Sequence, residues 1–374
     1  MRYRFDQFAV NIKEKKKPTE EDRHHYIGLE HLDSESLVVS RWGSDVAPKG
    51  EKLLMKKGDV LFGKRRAYQK KVAIAPFDGI FSAHGMVLRP NEEIVDKEFF
   101  PMFISSDYFL NTAIALSVGS LSPTINWRDL ARQEFELPPK EKQRELAQIL
   151  WAMEDTKKEY QRLLEATQEL VKSRFIEMFG DLALNPMNWK TMPIIKVCAN
   201  KDDIKCGPFG TQLGKHEYVR EGVPLWGIPQ INAAFAVPPT DFLTEEKAEQ
   251  LSAYSLIPGD IAMSRKGNVG KCAIYPDGES NGIIHSDVLR IRVTAEVCNP
   301  VFLMCQLHFS RAIESQIDAV SNGAVMAGIN VTKLKNIIVH VPPIALQNQF
   351  AEFVQLADKS KFALQNPLIL CKTL

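Results

Sequence analysis

Short runs of alternating apolar residues, bounded by glycine or proline, recur in both halves of the chain. The first half contains GDVLFG, KVAIAP and MVLRP, and the second half contains GDIAMS, KCAIYP and VLRIRV. Such alternation between turn residues is typical of short strands. A segment with helical spacing follows each set, KEFFPMFISSDYFLNTAIAL or NPVFLMCQLHFSRAIESQI, and a last strand follows each segment, EFELPP or IIVHVPP. The pattern predicts an α+β fold in which each half mixes strands and helices.

The two halves are copies of one another. The stretch SVGSLSPTINWRDL (117–130) aligns with SNGAVMAGINVTKL (321–334). The residues that agree between the copies are Gly58, Asp59, Gly119, Ile125, Asn126, Leu130, Pro138, Pro139 and Gln143, which fall on Gly259, Asp260, Gly323, Ile329, Asn330, Leu334, Pro342, Pro343 and Gln347. The offset of roughly 200 residues is much longer than a solenoid repeat, so it indicates a duplicated domain. Asn126 and Asn330 are expected to cap the turn that follows each of them.

A long helix is predicted between the two copies, because no glycine or proline interrupts residues 140–179. Its apolar stripe has heptad-like steps, and the stripe residues are Leu146, Leu150, Met153, Tyr160, Leu164, Val171, Phe175 and Met178. A helix of about 35–40 residues would be roughly 50–60 Å long. The expected partner is the C-terminal segment, whose stripe is Leu346, Phe350, Phe353, Val354 and Ala357 and which Pro367 is expected to break. We expect the two helices to pair as an antiparallel coiled-coil spacer; the alternative is that each packs only on its own domain.

Four segments follow from these patterns. They are a first globular domain (1–137), a central spacer helix (138–180), a second globular domain (181–341) and a C-terminal spacer helix (342–374).

Composition excludes several classes of protein. The net charge of +1 does not mark a nucleic-acid binder, although positive charge can be local. Six cysteines occur without a Cys-x-x-Cys pair, so neither a zinc ribbon nor a redox motif is indicated. The N-terminal residues lack the apolar region of a signal peptide, and no apolar run is long enough to span a bilayer. We therefore expect a cytoplasmic protein with no membrane association and no metal site.

Ser120 and Asp129, with a distant histidine, suggest a hydrolase. The second copy does not keep them, because Ala324 and Lys333 stand in their places. Phosphate-loop, nucleophile-elbow and zinc-protease motifs are also absent from the sequence. The chain is therefore predicted to bind rather than to catalyse, with no catalytic residues.

A basic loop follows the same strand in each copy. In the first copy it carries Lys64, Arg65, Arg66, Tyr68, Lys70 and Lys71, and in the second it carries Arg265, Lys266, Asn268 and Lys271. Cations beside an aromatic and an amide suit contacts with phosphates and base edges, although a solvated charge run is the plainer alternative. Thr211, Gln212 and Lys215, in CGPFGTQLGK, are further candidates for DNA contacts.

The chain resembles the specificity (S) subunit of Type I restriction–modification systems over nearly its whole length. The stretches that carry the resemblance are YIGLEHLDSESLVV (26–39), GDVLFGKRRAYQKKVAIAPFDGIFSAHGMVLRP (58–90), LPPKEKQRELAQIL (137–150), SRFIEMFGD, NPMNW, CGPFGTQL (206–213), GVPLWGIPQIN (222–232), IPGDIAMSRKGNVGKCAIYP (257–276) and NGAVMAGINVTKLKNIIVHVPPIALQNQ (322–349).

The resemblance implies two target recognition domains, each reading one half of a bipartite DNA target in double-stranded DNA. It implies helices that hold two methyltransferase (M) subunits, and endonuclease or translocase (R) subunits that join for cleavage. It implies no cofactor in this chain, with S-adenosylmethionine, ATP and magnesium expected in the partner subunits. The alternatives are a stand-alone DNA-binding or regulatory homologue without methyltransferase partners, and an enzyme in its own right.

Overall fold

The computed structural model describes residues 1–34, 36–278, 281–321 and 328–372, with side chains as far as Lys359. Contacts divide the chain into two compact units, Met1–Lys158 and Glu159–Leu374. Within the described ranges, every helix is too short or too polar to cross a membrane.

The first unit is built on two four-stranded sheets. Its strands are β1 (Arg2–Arg4), β2 (Ala9–Ile12), β3 (Lys15–Lys16), β4 (Tyr26–Ile27), β5 (Lys52–Met55), β6 (Val60–Phe62), β7 (Val72–Ile74), β8 (Gly79–Phe81), β9 (Met86–Pro90) and β10 (Glu134–Glu136). The sheets have the orders β2-β9-β6-β7 and β3-β5-β8-β4, and β1 pairs with β10. The helices are α1 (Phe5–Phe8), α2 (Phe99–Ser105), α3 (Asp107–Ala115), α4 (Trp127–Ala131) and the start of α5 (Lys140–Phe179).

The second unit repeats one of these four-stranded sheets and the two-stranded pair, whereas its other sheet has three strands. Its strands are β11 (Lys190–Pro193), β12 (Ile204–Cys206), β13 (Val223–Trp226), β14 (Asp241–Leu243), β15 (Ile261–Ser264), β16 (Cys272–Ile274), β17 (Ile283–Ile284), β18 (Val288–Ile291) and β19 (Ile338–Val341). The order β12-β18-β15-β16 matches β2-β9-β6-β7, and the pair β11–β19 matches β1–β10. The helices are α6 (Ile228–Asn232), α7 (Glu245–Gln250), α8 (Pro300–Phe309), α9 (Arg311–Ser321), α10 (Val331–Lys335) and α11 (Ile344–Lys372). The duplicated α+β architecture predicted from the sequence is therefore confirmed.

Aromatic rings fill the core of each unit. In the first unit Phe5 lies against Phe109 and Phe135. In the second unit Phe179 contacts Phe302 and Phe350. These side chains come from helices, except that Phe135 comes from β10. Helices α5 and α11 contribute Phe179 and Phe350 to the core of the second unit.

The segment after the strands is divided into two helices in each unit, whereas the sequence pattern suggested one helical segment. Ser106 separates α2 from α3, and its hydroxyl accepts a hydrogen bond from the Phe109 N–H. Ser310 stands at the same point between α8 and α9. A serine that caps a new helix satisfies an N–H group that the continuing helix would have bonded to its own backbone.

Helix α5 has 40 residues and confirms the predicted central helix. Leu146 and Leu150, near its start, pack on the core of the first unit. Val171 and Phe175, near its end, are buried in the core of the second unit. The stripe residues between these ends, Met153, Tyr160 and Leu164, are half-buried.

Within the second unit, α5 and α11 run antiparallel. The Phe175 and Phe179 rings lie 5.4 and 5.5 Å from that of Phe350, at the end of α5 and near the start of α11. Further from both of these ends, Val171 and Val354 line one cavity. The stripe residues at each end of α5 also pack on a globular core. Helix α5 is therefore part of these cores and also pairs with α11.

The expectation that Pro367 breaks the C-terminal helix was wrong. Helix α11 runs for 29 residues to Lys372. A proline inside a helix removes one backbone hydrogen bond and crowds the preceding turn, which can bend a helix without ending it. Helix α11 is still shorter than α5.

Candidate nucleic-acid interface

A basic cleft of about 430 Å³ opens on the first unit. Lysines supply its charge: Lys13 and Lys15 come from the end of β2 and from β3, and Lys64 follows β6. The cleft is also lined by Asn126 and Trp127. We use the name basic cleft for this site and for Arg65, Arg66 and His84 beside it.

Positive charge accumulates around the cleft. Burial, and then the charge of Lys15, lower the pKa of the Lys64 ammonium. Burial also lowers the pKa of the His84 imidazole, with further lowering by Arg65, Lys64 and Lys52. Among the described residues no carboxylate forms an ion pair with Lys13, Lys64, Arg65 or Arg66. Lys15 is paired with Glu51 at 3.4 Å, but the other cations have no counter-charge in the described ranges, and such a cluster is suited to an anionic ligand.

The stretch 117–126 holds the basic loop in place. The Arg66 N–H donates to the Pro123 carbonyl at 2.7 Å, and the Ile125 N–H donates to the Lys64 carbonyl at 3.0 Å. Arg66 adopts a left-handed backbone conformation, with φ of 55°, which is uncommon for a residue with a side chain. The guanidinium groups of Arg65 and Arg66 each lie 3.4 Å from the Ser122 hydroxyl. This stretch therefore supports the backbone of the basic loop and contacts both guanidinium groups.

The other residues predicted in the first loop have different environments. Tyr68 is 55% exposed. The Lys70 ammonium lies 2.6 Å from an Asp107 carboxylate oxygen, and the Lys71 ammonium donates to the Leu29 carbonyl at 2.7 Å. Both lysines are thus engaged within the unit, whereas Lys13, Lys64, Arg65 and Arg66 form no ion pair in the described part of the chain.

Arg265 occupies in the second unit the position of Lys64 in the first. The Ile329 N–H donates to the Arg265 carbonyl at 3.0 Å, as the Ile125 N–H does to that of Lys64. One Arg265 nitrogen lies 2.8 Å from the Cys206 sulfur and 3.3 Å from the Ser286 carbonyl. The Lys266 ammonium is paired with Asp287 at 2.7 Å. The second site is therefore more fully bonded and less positive than the first.

The remaining predicted residues of the second unit do not form one cluster. Thr211 and Lys215 are exposed, and the Gln212 side chain bonds the Tyr254 hydroxyl at 3.0 Å. Asn268 is exposed at the tip of the basic loop. Lys271 lines a separate cavity of about 870 Å³ between the domain and the helices.

Sequence reasoning missed Lys13, Lys15, His84 and Trp127. The run IKEKKK carries a signal, because it places lysines at the end of a strand. The asparagine prediction was half right. The Asn330 side chain accepts a hydrogen bond from the Lys333 N–H at 2.8 Å, whereas Asn126 makes no such cap and lines the basic cleft.

Metal binding and catalysis by a serine or a cysteine have little support in the described part of the chain. No group of three or more histidines, cysteines or carboxylates there could hold a metal ion. No hydrogen bond there joins Ser120, Asp129 and a histidine. Cys272 is fully buried, and burial raises the pKa of its thiol, which disfavours a reactive thiolate.

Comparisons with known proteins agree on one family. The family described as Type I restriction modification DNA specificity domain matches residues 10–167 and 188–370. A putative type I restriction enzyme MjaX specificity subunit from Methanocaldococcus jannaschii is 28% identical over 144 residues, which is 37% of this chain and 33% of that protein. The type I restriction enzyme EcoDI specificity subunit from Escherichia coli is 26% identical over 186 residues, 48% of this chain and 41% of that protein. The matched part is therefore less than half the length of either relative.

Solved structures share the fold. The S subunit of a Type I restriction–modification system from M. genitalium has a TM-score of 0.60 at 15% identity, covering 100% of this chain and 94% of that one. A structure reported for complex assembly and conformational transition of the type I R-M system has a TM-score of 0.50 at 20% identity, with the same coverage.

Proposed function

Because the chain belongs to the family of Type I restriction–modification DNA specificity domains, we propose that it is the DNA sequence-specificity subunit of a Type I restriction–modification complex. In this proposal each recognition domain reads one half of a bipartite target in double-stranded DNA. The spacer helices hold two methyltransferase subunits, and restriction endonuclease or translocase subunits join for cleavage. The chain itself is not catalytic, and S-adenosylmethionine, ATP and magnesium belong to the partner subunits. The complex acts in the cytoplasm.

One observation carries the proposal: the same position of a duplicated domain is basic in both units but differs in chemistry. In the first unit Lys64 lines the basic cleft together with Lys13 and Lys15. In the second, Arg265 is bonded to Cys206 and Ser286. Two copies of one scaffold with different side chains at one site are suited to reading two different half-sites.

Phosphate contacts in the basic cleft predict a salt-dependent affinity. The double variant Lys64→Ala with Arg66→Ala should weaken binding to all DNA sequences and lower the slope of log affinity against log salt by about two, since each phosphate contact contributes about 0.9. Binding would be measured by fluorescence anisotropy, with the chain purified together with a methyltransferase subunit from the same organism.

The matched control is Lys57→Ala, because Lys57 is exposed at the opposite end of β6 from Lys64. It should leave both the affinity and the slope unchanged. The proposal itself is tested by mapping methylated bases in cells that carry or lack this chain. It fails if no bipartite motif depends on the chain.

A further inference from the structure

A small loop beside the basic cleft presents an exposed leucine. The Val118 and Thr124 backbones bond each other reciprocally, N–H to carbonyl, at 3.1 and 3.0 Å, so residues 118–124 close into a loop. Gly119 has φ of 118°, a conformation that favours glycine. We call this segment the tip loop.

The tip loop is fixed relative to the cations. Thr124 forms a bridge with Arg65, and Pro123 accepts the Arg66 N–H at 2.7 Å. The Ser122 hydroxyl lies 3.4 Å from both guanidinium groups. The position of the tip is therefore set by the residues that would contact phosphates.

Leu121 stands at this tip with 91% of its surface exposed, more than any other large apolar side chain that the structure describes. Val118, at the base of the loop, is 69% exposed. Single exposed apolar residues are common on protein surfaces and need no explanation by themselves. Leu121 differs because it projects from a loop that is closed by backbone hydrogen bonds and flanked by Arg65 and Arg66. An anionic partner that carries apolar groups between its charges would contact the leucine and both arginines.

Double-stranded DNA is such a partner. Its phosphates flank grooves in which the thymine C5-methyl is the apolar group exposed on the major-groove edge. We propose that Leu121 is a specificity-determining residue that contacts a thymine methyl in the major groove, while Arg65 and Arg66 contact the flanking phosphates. The inference rests on the function proposed above, and adds to it one residue and one base.

The test uses the chain with its methyltransferase subunit and the bipartite duplex found by methylation mapping. Leu121→Ser should weaken binding to that duplex about tenfold, as expected for a lost base contact, and leave the salt slope and the binding to unrelated DNA unchanged. Replacing one thymine of the half-site by uracil, which lacks the methyl, should weaken the unaltered chain by a similar factor. The same replacement should have little further effect on the Leu121→Ser variant.

The control is Leu184→Ser, since Leu184 is 80% exposed and lies far along the chain from the basic loop. It should bind as the unaltered chain does. Equal affinity of Leu121→Ser and the unaltered chain would overturn the inference, as would a half-site without thymine or one in which no uracil replacement weakens binding. If the unaltered chain prefers no duplex at all, the proposed function fails, which is a different result.

Discussion

A buried aspartate in each unit is paired with an arginine far away in the sequence, Asp59 with Arg89 and Asp260 with Arg292. Gly58-Asp59 and Gly259-Asp260 were matched as repeats, yet their role depends on a distant arginine in each unit. Asp59 is paired through both oxygens with Arg89 at 2.7 and 2.8 Å, and Asp260 with Arg292 at 2.7 Å. The sequence near each aspartate does not indicate its arginine partner, because the pairing of β6 with β9 and of β15 with β18 brings the two residues together.

This pair predicts a large loss of stability in one variant. Arg292→Ala leaves the Asp260 carboxylate, which is 1% exposed, without its counter-charge, and should lower the free energy of unfolding by about 3–5 kcal/mol. The control is Arg162→Ala, because Arg162 pairs with Glu159 on the surface of α5, where a loss of less than about 1 kcal/mol is expected. Urea denaturation measures both. Similar losses in the two variants would show that burial of the aspartate does not matter.

At the scale of elements, the sequence predicted those helices and strands whose residues follow one uninterrupted pattern along the chain. Helix α5 was placed almost to the residue, because Pro139 precedes it and Gly180, with φ of 74°, follows it. The divisions at Ser106 and Ser310 were missed, since a serine within an apolar helical run gives a weak signal. The basic cleft was found only in part, because Lys13 reaches Lys64 through the pairing of β2 with β9 and of β9 with β6.

A buried glutamine joins the start of α5 to the first unit, and another joins the start of α11 to the second unit. Gln143 accepts a hydrogen bond from the Asp96 N–H at 2.8 Å and donates to the Pro138 and Ile94 carbonyls at 2.9 and 3.3 Å. Gln347 makes the same three bonds to the Asn299 N–H and to the Pro342 and Val297 carbonyls. This explains why the glutamine occurs in both copies of the repeat.

Removing the Gln143 side chain should weaken the attachment of α5 to the first unit. Gln143→Ala leaves three backbone groups without their partner, and each one that stays buried and unbonded costs about 1–3 kcal/mol, so the total loss should exceed 1 kcal/mol. Gln161→Ala, on the exposed face of the same helix, should change the unfolding free energy by less than about 0.5 kcal/mol. Hydrogen exchange at the Asp96 amide should also rise in the first variant. Unchanged exchange there would contradict the proposed role of Gln143.

At the scale of the whole molecule, the duplication was the most informative feature of the sequence. It predicted two units with the same coarse pattern of strands and helices. It also showed that Ser120 and Asp129 have no counterparts in the second copy, which led us to predict binding rather than hydrolysis. The difference in charge between the two sites was not predictable, since it depends on intramolecular ion pairs such as that of Lys266 with Asp287.

The stability of the molecule should also depend on pH. Burial lowers the pKa of His340, which is 8% exposed, below its ordinary value of 6.5, and its Nδ1 has no hydrogen-bond partner among the described residues. Above about pH 6.5 the histidine is neutral in both the folded and the unfolded chain, so its contribution to stability is fully present. As the pH falls below that value the unfolded chain binds the proton first, and stability is lost progressively until the folded-state pKa is reached. His31, His84 and His308, whose pKa values burial also lowers, act in the same direction.

Urea denaturation at pH 7.5 and at pH 5.5 should therefore show lower stability at pH 5.5, and His340→Phe should show a smaller difference than the unaltered chain. An equal pH dependence in both proteins would mean that His340 takes its proton as readily in the folded chain as in the unfolded one.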